Sequence, residues 1–281
     1  MNAPTNAARI LDLEEVRMIE PALSVLTDPV FSAMICEDPV AEGRLLIDEQ
    51  DQPLAAAFCG DDGWTCTTFL YRPVSVEVLE LFEETGGDLY QENREAWAEA
   101  IREYYAEEML AMVTPSGADL TNTRTLQLGS LLSEIWQSRQ GVTCLDCCCG
   151  SGIGSVVLRE MGMRPLAYDN DPHLLALGLA SGRLVPAETL CIDGTEASIY
   201  LSPAERGVGS MLGAVYPFTA DLWHQIVDEL LFLTSETVIT VSTEPEQQLV
   251  RQWCQEQGRT VEIFENERDP IYDRFVCIAR I

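Results

Sequence analysis

The sequence predicts an α/β protein: an α+β domain over residues 1–118, then a mostly parallel sheet over 119–281 whose last strand runs antiparallel. Three observations predict it. Within Thr143–Ser155 an apolar run breaks into Asp146, three cysteines and the glycine turn Gly150-Ser151-Gly152-Ile153-Gly154, then continues as a helical pattern, the strand, loop and helix start of a cofactor cradle. Two further apolar strands end in acidic residues, Asp169 and Asp193, each followed by a helix or turn signal. Thr260–Phe264 and Phe275–Ile281 are joined by a polar loop too short for a helix, so they pair antiparallel.

In residues 1–118 the apolar spacing gives helical segments around Leu13–Met18 and Pro21–Ile35. Short strands follow at Arg44–Ile47, Leu54–Cys59 and Trp64–Tyr71, with Asp62-Gly63 as the turn before the third. Helices are predicted at Val76–Glu84 and Asp88–Met112, the second carrying Trp97, Ile101, Tyr104 and Tyr105 on one side as core. Thr114-Pro115-Ser116-Gly117 interrupts the pattern, and Leu120–Trp136 resumes as the helix leading into the first strand of the second domain.

Asp146 stands at the mouth of the glycine loop, where a dinucleotide would place its pyrophosphate. A carboxylate there repels phosphate. S-adenosylmethionine (SAM) carries an ammonium and a sulfonium and no phosphate, so the same carboxylate attracts it. The glycine spacing agrees, because G-x-G-x-x-G requires glycine where Ser155 stands, whereas the chain has Gly150, Gly152 and Gly154. The competing readings are a glycine turn of no function and a nicotinamide enzyme that tolerates Asp146.

Beyond the loop the alternation continues. Arg164–Asp169 is a strand, and Asp171-Pro172 supply the N-cap and first residue of a helix. Thr189–Ile192 ends in Asp193-Gly194-Thr195. Ser210–Val215 is read as the fourth strand, Asp221–Leu233 as an amphipathic helix and Thr237–Ser242 as the fifth strand. Glu244–Gln257 is a helix capped by Thr243 and ended by Gly258.

The segment Asp146, Cys148, Gly150, Gly152 resembles motif I of the class I SAM-dependent methyltransferases, D-x-G-x-G-x-G, with Cys148 in place of the first glycine. That replacement requires a backbone that does not demand positive φ. The resemblance covers roughly residues 120–281 and implies a Rossmann-like methyltransferase sheet. It further implies a set of contacts to SAM, with S-adenosylhomocysteine (SAH) as the product. The loop residues Asp146, Cys148, Gly150, Ser151 and Gly152 would cradle it, Asp169 and Asn170 would take the ribose, and Asp193 and Gly194 the adenine. Thr121, Thr123 and Arg124 are nominated for the methionine end, with a surface arginine as the other reading of Arg124. In amino-methylating members the fourth strand ends in Asn/Asp-Pro-Pro-Tyr/Phe. The corresponding stretch here is Val215-Tyr216-Pro217-Phe218, which lacks the amide or carboxylate, so Tyr216, Pro217 and Phe218 are candidates only for lining an acceptor pocket.

All 17 basic residues are arginine, against 46 acidic residues and a net charge of −29. Residues 1–120 hold 25 acids and six arginines, residues 121–281 hold 21 and 11. Nucleic-acid binding draws on basic residues that release counterions, and no basic track is visible, which argues against DNA or RNA as acceptor. The acidic first domain reads either as a surface for a basic partner or cationic substrate, or as a habit of the whole proteome. No signal peptide or membrane-length apolar run is seen, so a cytoplasmic protein without membrane association is expected. Ten cysteines in that setting read as small buried residues; consecutive cysteines at a strand end point to opposite faces, so no metal site is expected.

The expected function is therefore SAM-dependent methyl transfer to a protein or small-molecule acceptor. The alternative is a non-catalytic SAM-binding or interaction protein that keeps the fold. Oligomeric state is not legible.

Overall fold

A computed structural model describes residues 5–117, 122–136 and 140–281. The chain divides into two compact units, Met1–Glu108 and Met109–Ile281. The 118/119 boundary expected from the sequence lies outside the described residues.

The first unit contains α1 (Asn6–Ile10), β1 (Arg17–Met18), α2 (Val30–Met34), β2 (Glu42–Ile47), β3 (Pro53–Gly60), β4 (Gly63–Thr68), α3 (Val76–Thr85), β5 (Asp88–Gln91) and most of α4 (Arg94–Met112). Its sheet has the order β1-β4-β3-β2-β5. The meander β2-β3-β4 is antiparallel, as expected, and turns at Gly63 with φ +99°. Phe58, Leu45, Phe69 and Val78 form its core, and Trp97, Ile101, Tyr104 and Tyr105 are buried along α4.

Three expectations fail here. Leu13–Met18 is not a helix: the Thr5 side chain caps α1 earlier, Asp12 at φ +53° ends it, and Arg17–Met18 pairs with β4. Pro21–Ile35 is not one helix but a 3-10 turn at Leu23–Val25 and the short α2, because Asp28-Pro29 restarts the chain with the Asp28 carboxylate accepting from Val30 N–H. Asp88–Gln91 is a strand rather than the start of a helix. A Cβ on Gly87 would lie 1.9 Å from the Gly43 carbonyl oxygen, so glycine lets the chain close onto β2, and α4 begins only where Asn93 Oδ1 accepts from Glu95 and Ala96 N–H.

The second unit begins with α5 (Asn122–Ile135) and runs β6 (Thr143–Cys147), α6 (Ile153–Glu160), β7 (Arg164–Asp169), α7 (Pro172–Ala180), β8 (Thr189–Cys191), α8 (Ala197–Tyr200), β9 (Ala204–Gly209), α9 (Ala220–Leu233), β10 (Thr234–Val241), α10 (Glu244–Glu256), β11 (Thr260–Glu265) and β12 (Phe275–Arg280). The sheet order is β11-β12-β10-β9-β6-β7-β8. Only β12 is reversed: it pairs antiparallel with both β10 and β11, and the other pairings are parallel. Leu128, Leu131 and Leu132 of α5 and Trp136 just after it pack with Val157 and Leu158 of α6 onto Val208, Val238, Val276 and Ile278 of the strands. The predicted caps hold. Asp171 accepts from His173 and Leu174 N–H, and Thr243 with Glu246 forms a reciprocal capping box on α10.

The fourth strand is Ala204–Gly209, and not Ser210–Val215, which forms the loop after it. Its sequence, AERGVG, hides the strand. Arg206 is buried in it, its guanidinium 5.1 Å over the Trp136 ring. Gly207 is small because Leu230 of α9 and Thr234 at the start of β10 lie against it, where a Cβ would meet both at 2.8 Å, and Gly209 packs under Leu212, 3.2 Å from where its Cβ would be.

Candidate functional site

In the second unit β6 is the strand at which the order reverses, with β7 and β8 laid to one side and β9 and β10 to the other. The crevice outside the carboxyl ends of the strands at such a switch point is where open α/β sheets bind ligands. Asp146, Asp169 and Asp193 occupy or directly follow the carboxyl ends of β6, β7 and β8, three neighbours in the sheet.

Asp146 is fully buried. Ser155 Oγ donates to its Oδ2 at 2.6 Å, and its Oδ1 has no hydrogen-bond partner among the described residues. A Cβ on Gly154 would lie 2.6 Å from that Oδ1, so glycine is what allows α6 to start this close to the carboxylate. Burial pushes the Asp146 carboxyl up to about 6; the hydrogen bonds from Ser155 and the nearby Arg124 guanidinium pull the other way, and the Asp169 carboxylate adds a smaller upward push.

Asp169 ties the loop to the next strand. Its Oδ2 accepts from Gly150 N–H at 2.9 Å and its Oδ1 from Asp171 N–H at 2.9 Å, while Cys149 N–H donates to the Tyr168 carbonyl at 3.1 Å. Burial raises the Asp169 carboxyl, and the backbone N–H groups of Asp171 and Gly150 oppose that. Gly150 and Gly152 take φ +53° and +86°. A Cβ on Gly150 would meet Leu174 Cδ1 at 4.0 Å, an ordinary van der Waals contact, so it is the positive φ and not crowding that favours glycine there. Ser151 is buried, its carbonyl accepting from Arg183 Nε at 2.9 Å. Asn170 and Asp193 are exposed, Asp193 capping Thr195 through N–H and Oγ1, and Gly194 is buried against Ile226.

Several sequence expectations are corrected. Cys148 was expected to avoid positive φ and instead adopts +52°, a left-handed conformation that costs a non-glycine residue about 1 kcal/mol or more. The consecutive cysteines were expected to diverge, yet Cys147 Sγ and Cys148 Sγ are 3.7 Å apart, because that backbone twist swings Cys148 back. Arg124 is neither a surface residue nor free for a ligand carboxylate: it is buried, with Nε 3.0 Å from Asp273 Oδ2. Thr121 lies outside the described residues. Tyr216, Pro217 and Phe218 do not follow the fourth strand directly; they sit on the exposed loop before α9, with the Tyr216 and Phe218 rings stacked 5.3 Å apart. The residues at the strand end are Ser210, Met211 and Leu212. Met211 takes φ +52° and donates its N–H to Thr240 Oγ1 at 2.7 Å.

Sequence reasoning missed that node. Thr240 Oγ1 in turn donates a hydrogen bond to Asp273 Oδ1 at 2.5 Å, and Asp273 holds Arg124, so a buried polar chain joins the loop after β9 to the helix before β6. Ser155 was noted only as a missing glycine, although it is the hydrogen-bond donor to Asp146. Among the described residues no group of three or more His, Cys, Asp or Glu side chains could hold a metal ion.

No family model and no curated protein matches the chain. Among solved structures, the chain is similar to the magnesium protoporphyrin IX methyltransferase ChlM of Synechocystis PCC 6803, solved with bound SAM, at 12% identity, TM-score 0.46, over 66% of this chain and 97% of that one. It is also similar to TrmN of Thermus thermophilus, at 18% identity, TM-score 0.45, over 55% and 48% of the two chains. A third likeness is an rRNA methylase of Streptococcus thermophilus, at 12% identity, TM-score 0.41, over 58% and 98%. The order of the strands, with the single reversed β12, is independent of these likenesses. The second unit has a Rossmann-like α/β fold with one reversed strand. Acceptors differ widely on that fold, and the fold by itself names none.

Proposed function

We propose that the second unit binds SAM at the carboxyl ends of β6, β7 and β8 and that the protein transfers its methyl group to a protein or small-molecule acceptor. The observation that carries the reading is the joint placement of a buried carboxylate with one unpartnered oxygen, Asp146, and a positive-φ glycine, Gly150, whose N–H is tied to Asp169 at the carboxyl ends of neighbouring strands. A cationic ligand without phosphate fits that set; a pyrophosphate does not, since Asp146 and Asp169 offer it two carboxylates. Cys148, Ser151 and Gly152 complete the cradle, Asp169 and Asn170 would take the ribose, and Asp193 and Gly194 the adenine. The group supplies, when bound, a methyl on a sulfonium that a nucleophile displaces in line, a reaction governed by alignment more than by acid–base help. What the chain contributes is orientation. Asp169 fixes Gly150, Ser155 fixes Asp146, and the Thr240–Asp273–Arg124 chain fixes Met211 at the fourth strand end.

The acceptor half of the proposal rests on charge. Arg72, Arg124 and Arg206 are buried, Arg72 against Glu20 and Arg124 against Asp273, so these cations are not presented to phosphates. With a net charge of −29, the electrostatic attraction that supplies non-specific nucleic-acid affinity has the wrong sign. Cytoplasmic placement belongs to the same proposal; among the described residues no helix is long and apolar enough to cross a membrane. The test is to incubate the protein with methyl-tritiated SAM and a fractionated cell extract. Label in protein or low-mass fractions supports the proposal. Label in the RNA or DNA fraction overturns the acceptor assignment, and binding of SAH without label in any fraction favours the non-catalytic alternative.

A further inference from the structure

Cys148 occupies a position where glycine would be free of strain and cysteine is not. Backbone strain of this kind persists where the side chain has a use. What the strain achieves here is specific. Adjacent residues leaving a strand normally point their side chains to opposite faces, yet the left-handed turn at Cys148 brings its Sγ to 3.7 Å from Cys147 Sγ. Both thiols are free, and the pair sits two residues before Gly150, whose N–H is held by Asp169. Cys147 lies on the last residue of β6 and Cys149 N–H is fixed to the Tyr168 carbonyl, so the peptide between the two thiols is clamped on both sides.

We propose that Cys147 and Cys148 form a reversible disulfide site, oxidised by low-molecular-weight disulfides, that changes the geometry of the glycine loop. The chemistry balances without a metal or cofactor. One cysteine thiolate attacks a sulfur of the reagent disulfide and expels the first small thiol, and the second cysteine then attacks the mixed disulfide and expels the other. One Sγ–Sγ bond forms, the reagent bond breaks, and the two cysteine protons end on the two released thiols. Closing the bond requires the sulfurs to approach from 3.7 Å to about 2.05 Å. Adjacent Cα atoms are about 3.8 Å apart, below the usual range of about 4.4–6.8 Å across a disulfide, so the bond is strained, easily reduced and able to shift the loop that follows. The hydrogen bond with Cys147, and after it burial, push the Cys148 thiol up, so oxidation through Cys148 is faster as pH rises.

The formation of the disulfide is independent of the proposed function; its effect on ligand binding rests on that reading. The experiment uses the full reduced chain treated with oxidised glutathione, followed by intact mass, peptide mapping and SAH titration. Wild type is expected to lose two hydrogens, with the bond mapped to Cys147–Cys148. It is expected to lose SAH affinity, to recover both thiols and binding with dithiothreitol, and to oxidise more slowly when SAH is present. Cys148→Gly, which suits the positive φ and so keeps the fold by circular dichroism, is expected to show the same SAH affinity before and after oxidant, as is Cys147→Ser. A glutathione adduct that never closes, a bond mapped to other cysteines such as Cys254 and Cys277, or no oxidation at all overturns the proposal. So does a mapped Cys147–Cys148 bond that leaves the SAH affinity unchanged. A mapped bond in a protein that never bound SAH upholds the site and overturns the proposed function instead.

Discussion

Arg124 and Asp273 form a two-pronged buried ion pair, Nε to Oδ2 at 3.0 Å and Nη2 to Oδ1 at 3.4 Å, that joins α5 to the loop entering β12. The pair is 149 residues apart in sequence, and the Tyr272 ring stacks under the same guanidinium at 5.5 Å. Removing one member leaves the other charged and buried. Arg124→Met and Asp273→Leu alone are therefore each expected to destabilise the protein by about 3–5 kcal/mol, whereas the double variant Arg124→Met, Asp273→Leu loses far less. Urea denaturation of the two single variants and the double variant measures this; equal losses for the double variant and the sum of the singles would mean the two side chains do not interact.

Gly152→Val is expected to unfold or strongly destabilise the second unit rather than only block a ligand. Gly152 has φ +86°, and a Cβ there would lie 2.6 Å from Leu184 Cδ2, so strain and overpacking fall on the protein itself. The milder Gly152→Ala should cost roughly 2–4 kcal/mol by the same two effects. Thermal melts decide it: an unchanged midpoint for Gly152→Ala would show that Leu184 moves away freely.

The buried Asp146 carboxyl gives a pH dependence with a definite sign. Its folded pKa is raised to about 6 from 3.8, so the folded state holds the proton more tightly and the stability associated with the protonated form is lost as pH rises from about 4 to about 6. Over that window the wild type should lose about 3 kcal/mol relative to Asp146→Asn, which cannot ionise. Denaturant titrations of both proteins at pH 4, 5, 6 and 7 read the difference. A constant gap between them would mean that Asp146 does not titrate there.

Asp169→Ala removes the acceptor for Gly150 N–H and, on the proposed function, a ribose contact. SAH affinity is expected to fall by about 1.5–3 kcal/mol, the range for hydrogen bonds to a charged group. Isothermal calorimetry beside circular dichroism separates lost affinity from lost structure; unchanged affinity in a folded variant places the ribose elsewhere.

The core of this architecture was legible because its signals are local. The strands β6, β7 and β8 are apolar runs ended by acids, and α7 and α10 announce themselves by Asp171-Pro172 and by Thr243 with Glu246. Where the signal is tertiary, it disappears from the sequence. The strand β9 is masked by Arg206, whose guanidinium is covered by Trp136 just after α5, and β5 is recognisable only once Gly87 is seen against Gly43. In the site, the loop glycines and Asp169 could be read from spacing. The conformation of Cys148, the Leu184 contact of Gly152 and the Met211–Thr240–Asp273–Arg124 chain could not, because each depends on what packs against it from elsewhere in the chain.

On the proposed function, the crevice at Asp146, Gly150 and Asp169 takes a phosphate-free adenosine ligand that carries an ammonium group, SAM or SAH. Calorimetric titration of the reduced full chain with SAH and, separately, with NAD tests it most directly. The expected result is one SAH bound per chain, competed by SAM, with no heat from NAD. Binding of NAD without binding of SAH, or no binding of either to the folded protein, would contradict it.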